Sequence, residues 1–305
     1  MSTLRKIHKY GSPSHILVFG DSLGDNLLLT ILARELFERG YKNIWIKCNH
    51  AELFENNPYI KLVLPFNELL SGLVLRALNV KTTYPRYTSY DQITDRDDIP
   101  RKHIVLKMAD SLSLNGHIVN KPVFHLTDQE KLKGQLKKNQ VVVTTSSTGA
   151  RFPMQNKEWS IEKYQQVVDH LCETYNFVQL GASTDSALKN VTDLRGKTSI
   201  RETAAILSNS MLMISHVGFL MHLARAVDCR SVIIYGGRER PDQSGYACFD
   251  NIYSAVECSP CWLHNICHYD RKCMRLISAD RVINSILDQL KLADMPLIAN
   301  TLYND

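Results

Sequence analysis

The sequence predicts an α/β protein made of two doubly wound, Rossmann-like units. Short apolar runs alternate with segments of helical period, which is the signature of parallel strands covered by helices. The alternation occurs twice, with a lysine-rich stretch near residues 127–140 between the two series. Most of the runs end in turns rich in Gly, Ser or His, and open parallel sheets bind ligands at such C-terminal strand ends. The expected domains are 1–135 and 136–305.

In the first series, His15 to Phe19 (HILVF) reads as a buried strand and Gly20 to Asp25 (GDSLGD) as a turn. Leu28, Leu32 and Leu36, with Ile31 beside them, share one face of a helix that Gly40 ends. Ile44 to Cys48 and Ile60 to Leu64 read as strands, and Asn67 to Leu78 as a helix. Lys81 to Arg101, rich in Pro, Tyr, Thr and Asp, reads as a long surface loop, and His103 to Lys107 as a further strand.

In the second series, Thr127 and Glu130 form a T-x-x-E capping box. The helix it starts carries Lys131, Lys133, Lys137 and Lys138, which reads as a solvated face before a binding patch. Val141 to Thr145 is a strand and Ser147 to Lys157 a loop. Tyr164, Val167, Val168 and Leu171 mark a helix, and Phe177 to Leu180 a strand ending at Gly181. Ser199 and Glu202 repeat the capping box. Met211 to Ile214 and Ser231 to Tyr235 read as strands, Phe219 to Val227 as a helix, and the last helix starts near Asp280.

Composition narrows the function. The 305 residues are 44% hydrophobic and 22% charged, ordinary for a globular protein and wrong for a disordered one. No apolar stretch reaches the ~18 residues of a membrane span, and the N-terminus lacks the long apolar core of a signal peptide. A cytoplasmic location is expected. The net charge of +5 suits an anionic substrate or peripheral contact with an inner membrane, and no nucleic-acid partner is expected.

Four places carry candidate chemistry. At the first strand-to-helix turn, Gly24 lets backbone N–H groups approach a ligand, and Asp25 reads on spacing as a helix cap or first-turn carboxylate. Lys157, before a helix start, reads locally as a solvated lysine or a phosphate clamp. In ISHVGFLMHLARA (214–226), His216 and His222 flank Gly218, and His222 fits a hydrogen-bonded core residue as well as a ligand contact. Cys258, Cys261, Cys267 and Cys273 fall within a 257–274 segment as C-x2-C-x5-C-x5-C. Four thiolates suit a structural zinc or iron, with packing thiols and disulfides as alternatives. No G-x-G-x-x-G appears, which argues against a nicotinamide enzyme.

An ordered set of segments resembles glycosyltransferase family 9, the heptosyltransferase-like enzymes. The segments are DSLGDNLLLT (21–30), NNPYIKLVLP (56–65), NKEWSIEKY (156–164), DLRGKTSIRETAAILSNSMLMIS (193–215), MHLARAVDCRSVIIYGG (221–237) and the cysteine segment. The resemblance implies the GT-B fold, with two Rossmann-like domains facing across a cleft. It implies inverting, metal-independent transfer of a heptose-like sugar from a nucleotide-sugar, ADP-sugar favoured. The acceptor would be a glycan, a lipid-linked lipopolysaccharide-type precursor or a protein. Asp25 becomes the general base, with Gly24 and Asn26 on the acceptor side. Ser147, Thr148, Lys157, Gly181, His216, Gly218 and His222 become donor contacts. No cofactor is implied for catalysis. The family's D-x-G-x-x-H pattern is altered to HVGFLMH: aligned on His222, Val217 takes the acidic position and Phe219 the glycine. That departure makes an inactive GT-B-like nucleotide-binding or scaffold protein the alternative.

Overall fold

The computed structural model describes residues 2–146, 149, 152–292, 295–298 and 300–305. The chain forms two compact units. One comprises Met1–Tyr87, Ile104–His125 and Thr301–Asp305; the other comprises Thr88–His103 and Leu126–Asn300. The sequence-based boundary at 135/136 lies ten residues beyond the 125/126 division.

Unit 1 is built on a four-stranded parallel sheet, order β3-β2-β1-β4, from β1 (His15–Val18), β2 (Ile44–Lys47), β3 (Leu62–Leu64) and β4 (Lys81–Thr83). Its helices are α1 (Thr3–Tyr10), α2 (Leu23–Glu38), α3 (Gly72–Ala77) and α4 (Ile104–Asp110). Ile16, Val18, Trp45 and Leu64 form a small core on which Ile7 and Tyr10 of α1 and Leu70, Leu75 and Val80 pack. Two strands lie outside this sheet: β7 (Gly116–Val119) pairs antiparallel with the C-terminal β14 (Thr301–Asn304).

Unit 2 holds a six-stranded parallel sheet from β8 (Gln140–Val143), β9 (Asn176–Gln179), β10 (Thr192–Asp193), β11 (Leu212–His216), β12 (Ser231–Gly236) and β13 (Asp250–Tyr253). The order β10-β9-β8-β11-β12-β13 is the doubly wound order of dinucleotide-binding folds, whose direction reverses between β8 and β11. The helices are α5 (Asp128–Lys133), α6 (Ile161–Leu171), α7 (Ile200–Ser208), α8 (Phe219–Ala226), α9 (Pro241–Ser244), α10 (Lys272–Arg275) and α11 (Ala279–Lys291). A hairpin, β5 (Tyr90–Asp91) with β6 (Arg96–Asp97), belongs to this unit.

The sheet's strands are apolar on both faces because helices cover both. On one face, Val141, Val143, Ile214, Val232 and Ile234 pack with Tyr164, Val167 and Val168 of α6 and Val282, Ile283 and Ile286 of α11. The alternate residues Val142, Met213 and Ile233 are equally buried. Helix α11 shows the local logic. Ser278 caps it by accepting from Arg281 N–H, Asp280 sits in the first turn and Lys291 in the last, complementing the helix dipole. Both expected capping boxes, Thr127–Glu130 and Ser199–Glu202, are formed.

Four expected elements differ. The helix begun at the Thr127 box ends at Lys133, with Gly134 as its C-cap, so Lys137 and Lys138 lie beyond it. The helix near Asn67 to Leu78 shrinks to Gly72–Ala77, starting at the Ser71 cap, because Pro65 and the polar residues after it hold the preceding chain in turns. Lys81 to Arg101 is not one loop: it supplies edge strand β4 and the β5–β6 hairpin. Of the run His103 to Lys107, Ile104 to Lys107 is helical, opening α4 with Ile104, Val105 and Met108 buried, and His103 precedes the helix. An apolar run of that length has no period to separate strand from helix. Among the described residues, no helix is long and apolar enough to cross a membrane.

Candidate functional site

The first turn of unit 1 is set by one buried amide. Asn26 is fully buried, and its Nδ2 donates to the Gly20 and Ser22 carbonyls at 2.7 and 2.8 Å. It thus fixes the loop that follows β1, so its place is in the framework rather than among groups facing an acceptor. Ser22 is the N-cap of α2, so Asp25 is not the cap. Asp25 lies in the first turn, partly exposed, with the helix dipole favouring its charged form. Gly24 shares that turn.

In unit 2, the groups after β8, β9, β11 and β12 form a polar floor at the reversal of strand order. Thr144 and Thr145 follow β8 and are buried. Gly181 follows Leu180 with φ 139°, a conformation that suits glycine, and a Cβ there would meet the Asp185 carboxylate at 2.2 Å. Asp185 also accepts from the Ala182 N–H, closing this turn. Ser147 and Thr148 lie outside the described residues.

His216 is the last residue of β11 and Gly218 is the residue before α8. His216 is buried, and its Nδ1 meets no hydrogen-bond partner among the described residues. Burial, and then the charge of Lys157, lowers its pKa to about 4, so it is neutral near pH 7. His222 is buried on α8 and its Nδ1 lies 2.7 Å from the Tyr246 hydroxyl. Its pKa is lowered to about 3 by burial first and Lys157 second. That contact matches the core-histidine alternative.

Lys157 ends a short 3₁₀ turn, Gln155–Lys157. It is not a solvated lysine: its side chain is 15% exposed and its Nζ sits 2.9 Å from Glu239 Oε1. Glu239 lies just past β12 and is buried. Burial alone would raise its carboxyl, but Lys157 and Arg238 hold it at about 2. Arg238 contacts Glu239 at 3.1 Å and Asp97 at 2.6 Å, and Asp97 is 2.6 Å from His264 Nε2. The Lys157 turn is tied to the same segment: Asn156 N–H donates to the His264 carbonyl, Asn156 Nδ2 to the Ile266 carbonyl and Gln155 N–H to Asn265 Oδ1. Asp95 in turn accepts from the N–H groups of Asn265 and Ile266. Lys157 is therefore a braced, partly buried cation.

Sequence reasoning missed Glu239, Arg238 and Asp97. Gly236 to Arg240 stood among the strand-end segments, but one sequence offers no sign that a carboxylate there pairs with a lysine some eighty residues away.

The four cysteines Cys258, Cys261, Cys267 and Cys273 line one small cavity with Gly237 and Tyr269. All four are free thiols, so no disulfide joins them. Burial pushes the Cys261 and Cys273 thiols up, and neighbouring thiols of the group add to it. The donor chemistry suits a soft metal. Among the described residues, however, no three His, Cys, Asp or Glu groups are arranged to hold a metal ion. The arrangement as it stands does not fit one.

Comparison with known proteins follows this geometry. Residues 119–265 match the family model of glycosyltransferase family 9 (heptosyltransferase). That range contains Lys157, Gly181, His216, His222 and Glu239. A family 9 glycosyl transferase from Veillonella parvula DSM 2008 is similar over 91% of this chain and 97% of its own, with TM-score 0.65 and 16% identity. ADP-heptose lps heptosyltransferase II of E. coli is similar over 91% and 98%, with TM-score 0.64 and 12% identity. The iron-containing dodecameric glycosyltransferase TibC from enterotoxigenic E. coli H10407 is similar over 91% and 78%, with TM-score 0.68 and 16% identity. No curated protein sequence gives a significant match. The fold is GT-B, and residues 119–265, just under half of the chain, match the glycosyltransferase family 9 model.

Proposed function

We propose that the protein transfers a heptose-like sugar from an ADP-sugar to a glycan or lipid-linked acceptor, with inversion. The observation that carries this is Lys157, a partly buried cation paired with Glu239 and in the same charge field as neutral His216 and His222, at the sheet reversal where such folds bind nucleotides. Two of the structural relatives point the same way: TibC is solved with ADP-D-β-D-heptose and E. coli WaaC with ADP.

The chemistry follows from the groups. Lys157 binds the donor diphosphate as a point charge and stabilises the charge that grows on the leaving oxygen. The α8 N-terminus, opened by Gly218, aims N–H groups at the same anion. His216 offers its open Nδ1 to the donor, and the Gly181 turn leaves room for the nucleoside. Asp25 takes the proton from the acceptor hydroxyl as that oxygen attacks the anomeric carbon from the face opposite the diphosphate. Gly24 and the loop that Asn26 fixes shape the acceptor side. The cysteine segment acts through structure, bracing the Lys157 turn through His264, Asn265 and Ile266.

The test is Asp25→Asn with ADP-heptose. ADP binding should stay within twofold of wild type, and transfer should fall on the order of 10²- to 10⁴-fold, the usual worth of a general base. Unchanged turnover removes Asp25 from the mechanism.

A further inference from the structure

Residues 88–103 fold with unit 2, although the chain on either side of them belongs to unit 1. Their β5–β6 hairpin has strands of two residues each, too short to hold a shape alone. It is fastened instead to one stretch of unit 2. Asp97 N–H donates to the Trp262 carbonyl, and His264 N–H donates to the Asp95 carbonyl. The Tyr90 ring stacks on His264 with centroids 4.3 Å apart, and its hydroxyl donates to Asp95 Oδ1 at 2.9 Å. What the hairpin delivers to the interior is one carboxylate, Asp97, which is 6% exposed.

Asp97 stands at the far end of a chain of charges that leads to Lys157. A single oxygen of Glu239, Oε1, receives two cations: Lys157 Nζ at 2.9 Å and Arg238 Nη1 at 3.1 Å. Arg238 is itself divided. Its Nη2 donates to Asp97 Oδ2 at 2.6 Å and its Nε to the Leu263 carbonyl at 3.0 Å. The shorter of its two carboxylate contacts is thus the one to Asp97. A guanidinium carries its donors in a rigid fork, so a pull on one arm sets the distance of the other. Asp97 Oδ2 also accepts from His264 Nε2 at 2.6 Å, which divides that oxygen between two donors. Buried contacts of this kind are screened little, and each polarises the next.

We propose that Asp97 is a positioning residue for the donor site: by drawing Arg238 toward the hairpin it leaves Glu239 Oε1 to Lys157, and so sets how firmly that cation is held when a diphosphate competes for it. Asp97 acts through Arg238 and Glu239 and touches no donor atom. It lies outside residues 119–265, the part of the chain that matches the family model. The inference rests on the donor role of Lys157 proposed above. Its signs follow from the geometry. Without the Asp97 charge, Arg238 closes on Glu239 and Lys157 is freed for the ligand. Without the His264 N–H, Asp97 Oδ2 is left to Arg238 alone, and Glu239 holds Lys157 more firmly.

The test is calorimetric titration of ADP into the full chain, arranged as a double-mutant cycle. Asp97→Asn should tighten ADP binding about threefold, part of the Coulomb benefit of one neutralised charge. The gain should vanish when Asp97→Asn/Glu239→Gln is compared with Glu239→Gln alone, because the path runs through Glu239. Asp97→Glu, which keeps the charge, should return the affinity to that of wild type. His264→Phe keeps a ring to stack on Tyr90 and removes the N–H. It should weaken ADP binding about twofold, the share one bond lends its neighbours in such a chain, and it carries the test if Asp97→Asn does not fold. Weaker binding by Asp97→Asn in both backgrounds makes Asp97 merely structural and overturns the proposal. An equal gain in both backgrounds, or tighter or unchanged binding by His264→Phe, also overturns it. ADP binding that Lys157→Ala leaves unchanged strikes the donor site itself, and this proposal with it.

Discussion

The two units share an architecture and differ in where their charges sit. In unit 2, Glu239, Arg238 and Asp97 are buried with the partly buried Lys157, each within 3.1 Å of its partner. Unit 1 buries Lys6 against Glu68 and Arg34 against Glu35, and leaves Arg5, Lys9 and Arg76 in solvent. Buried charges are costly unless paired, and once paired they are fixed in place. Exposed charges are cheap and mobile. The contrast suits the proposed donor site, where a fixed cation is needed at one point of unit 2.

That contrast is broken most severely by Arg238→Met. It leaves Asp97 and Glu239 without their buried partner, and unit 2 should lose about 3–5 kcal/mol in a denaturant melt. An exposed counterpart, Arg5→Gln, should stay within about 0.5 kcal/mol. Equal effects would erase the distinction.

Acid should also act on unit 2. His103, His216 and His222 are held neutral by burial, with pKa values lowered to about 4, 4 and 3. In the unfolded chain they protonate near pH 6.5. The unfolded state therefore binds protons first as pH falls. Their stabilisation is present above pH 6.5 and drains away between pH 6.5 and about 4, by up to about 3 kcal/mol for each. Urea midpoints across that range measure it, and His222→Gln should flatten the slope by about one proton. A midpoint that holds steady to pH 4 contradicts the burial of these groups.

How much of this was legible in the sequence differs by element. Parallel strands show as apolar runs because both faces are covered, and both capping boxes show because Thr127–Glu130 and Ser199–Glu202 are local. The α4 helix was misread because its short apolar run carries no period. Edge strand β4, Lys81–Thr83, has no apolar signature because two of its three residues are exposed. Among the candidate site residues, Lys157, His216 and Gly218 drew attention because they lie in segments between a strand and the next helix. Glu239 was not, because its meaning comes from Lys157, and that pairing exists only after folding. Asn26 was placed on the acceptor side by the motif, whereas its burial shows it serves the loop.

A gentler change sharpens the account. Glu239 competes with a diphosphate for Lys157, so Glu239→Gln should tighten ADP binding by about tenfold, the Coulomb benefit of removing one nearby negative charge. The gain should vanish when Lys157→Met is added. A gain of affinity cannot come from a damaged fold, and its absence would mean that Glu239 does not share its cation with the ligand.

The most direct measurement is calorimetric titration of ADP into wild type and Lys157→Ala. The account predicts saturable one-to-one binding by wild type and a loss on the order of tenfold to a hundredfold in the variant, the worth of a charge-assisted contact. ADP that does not bind, or binds equally well without the lysine, would contradict a donor site at the strand reversal of unit 2.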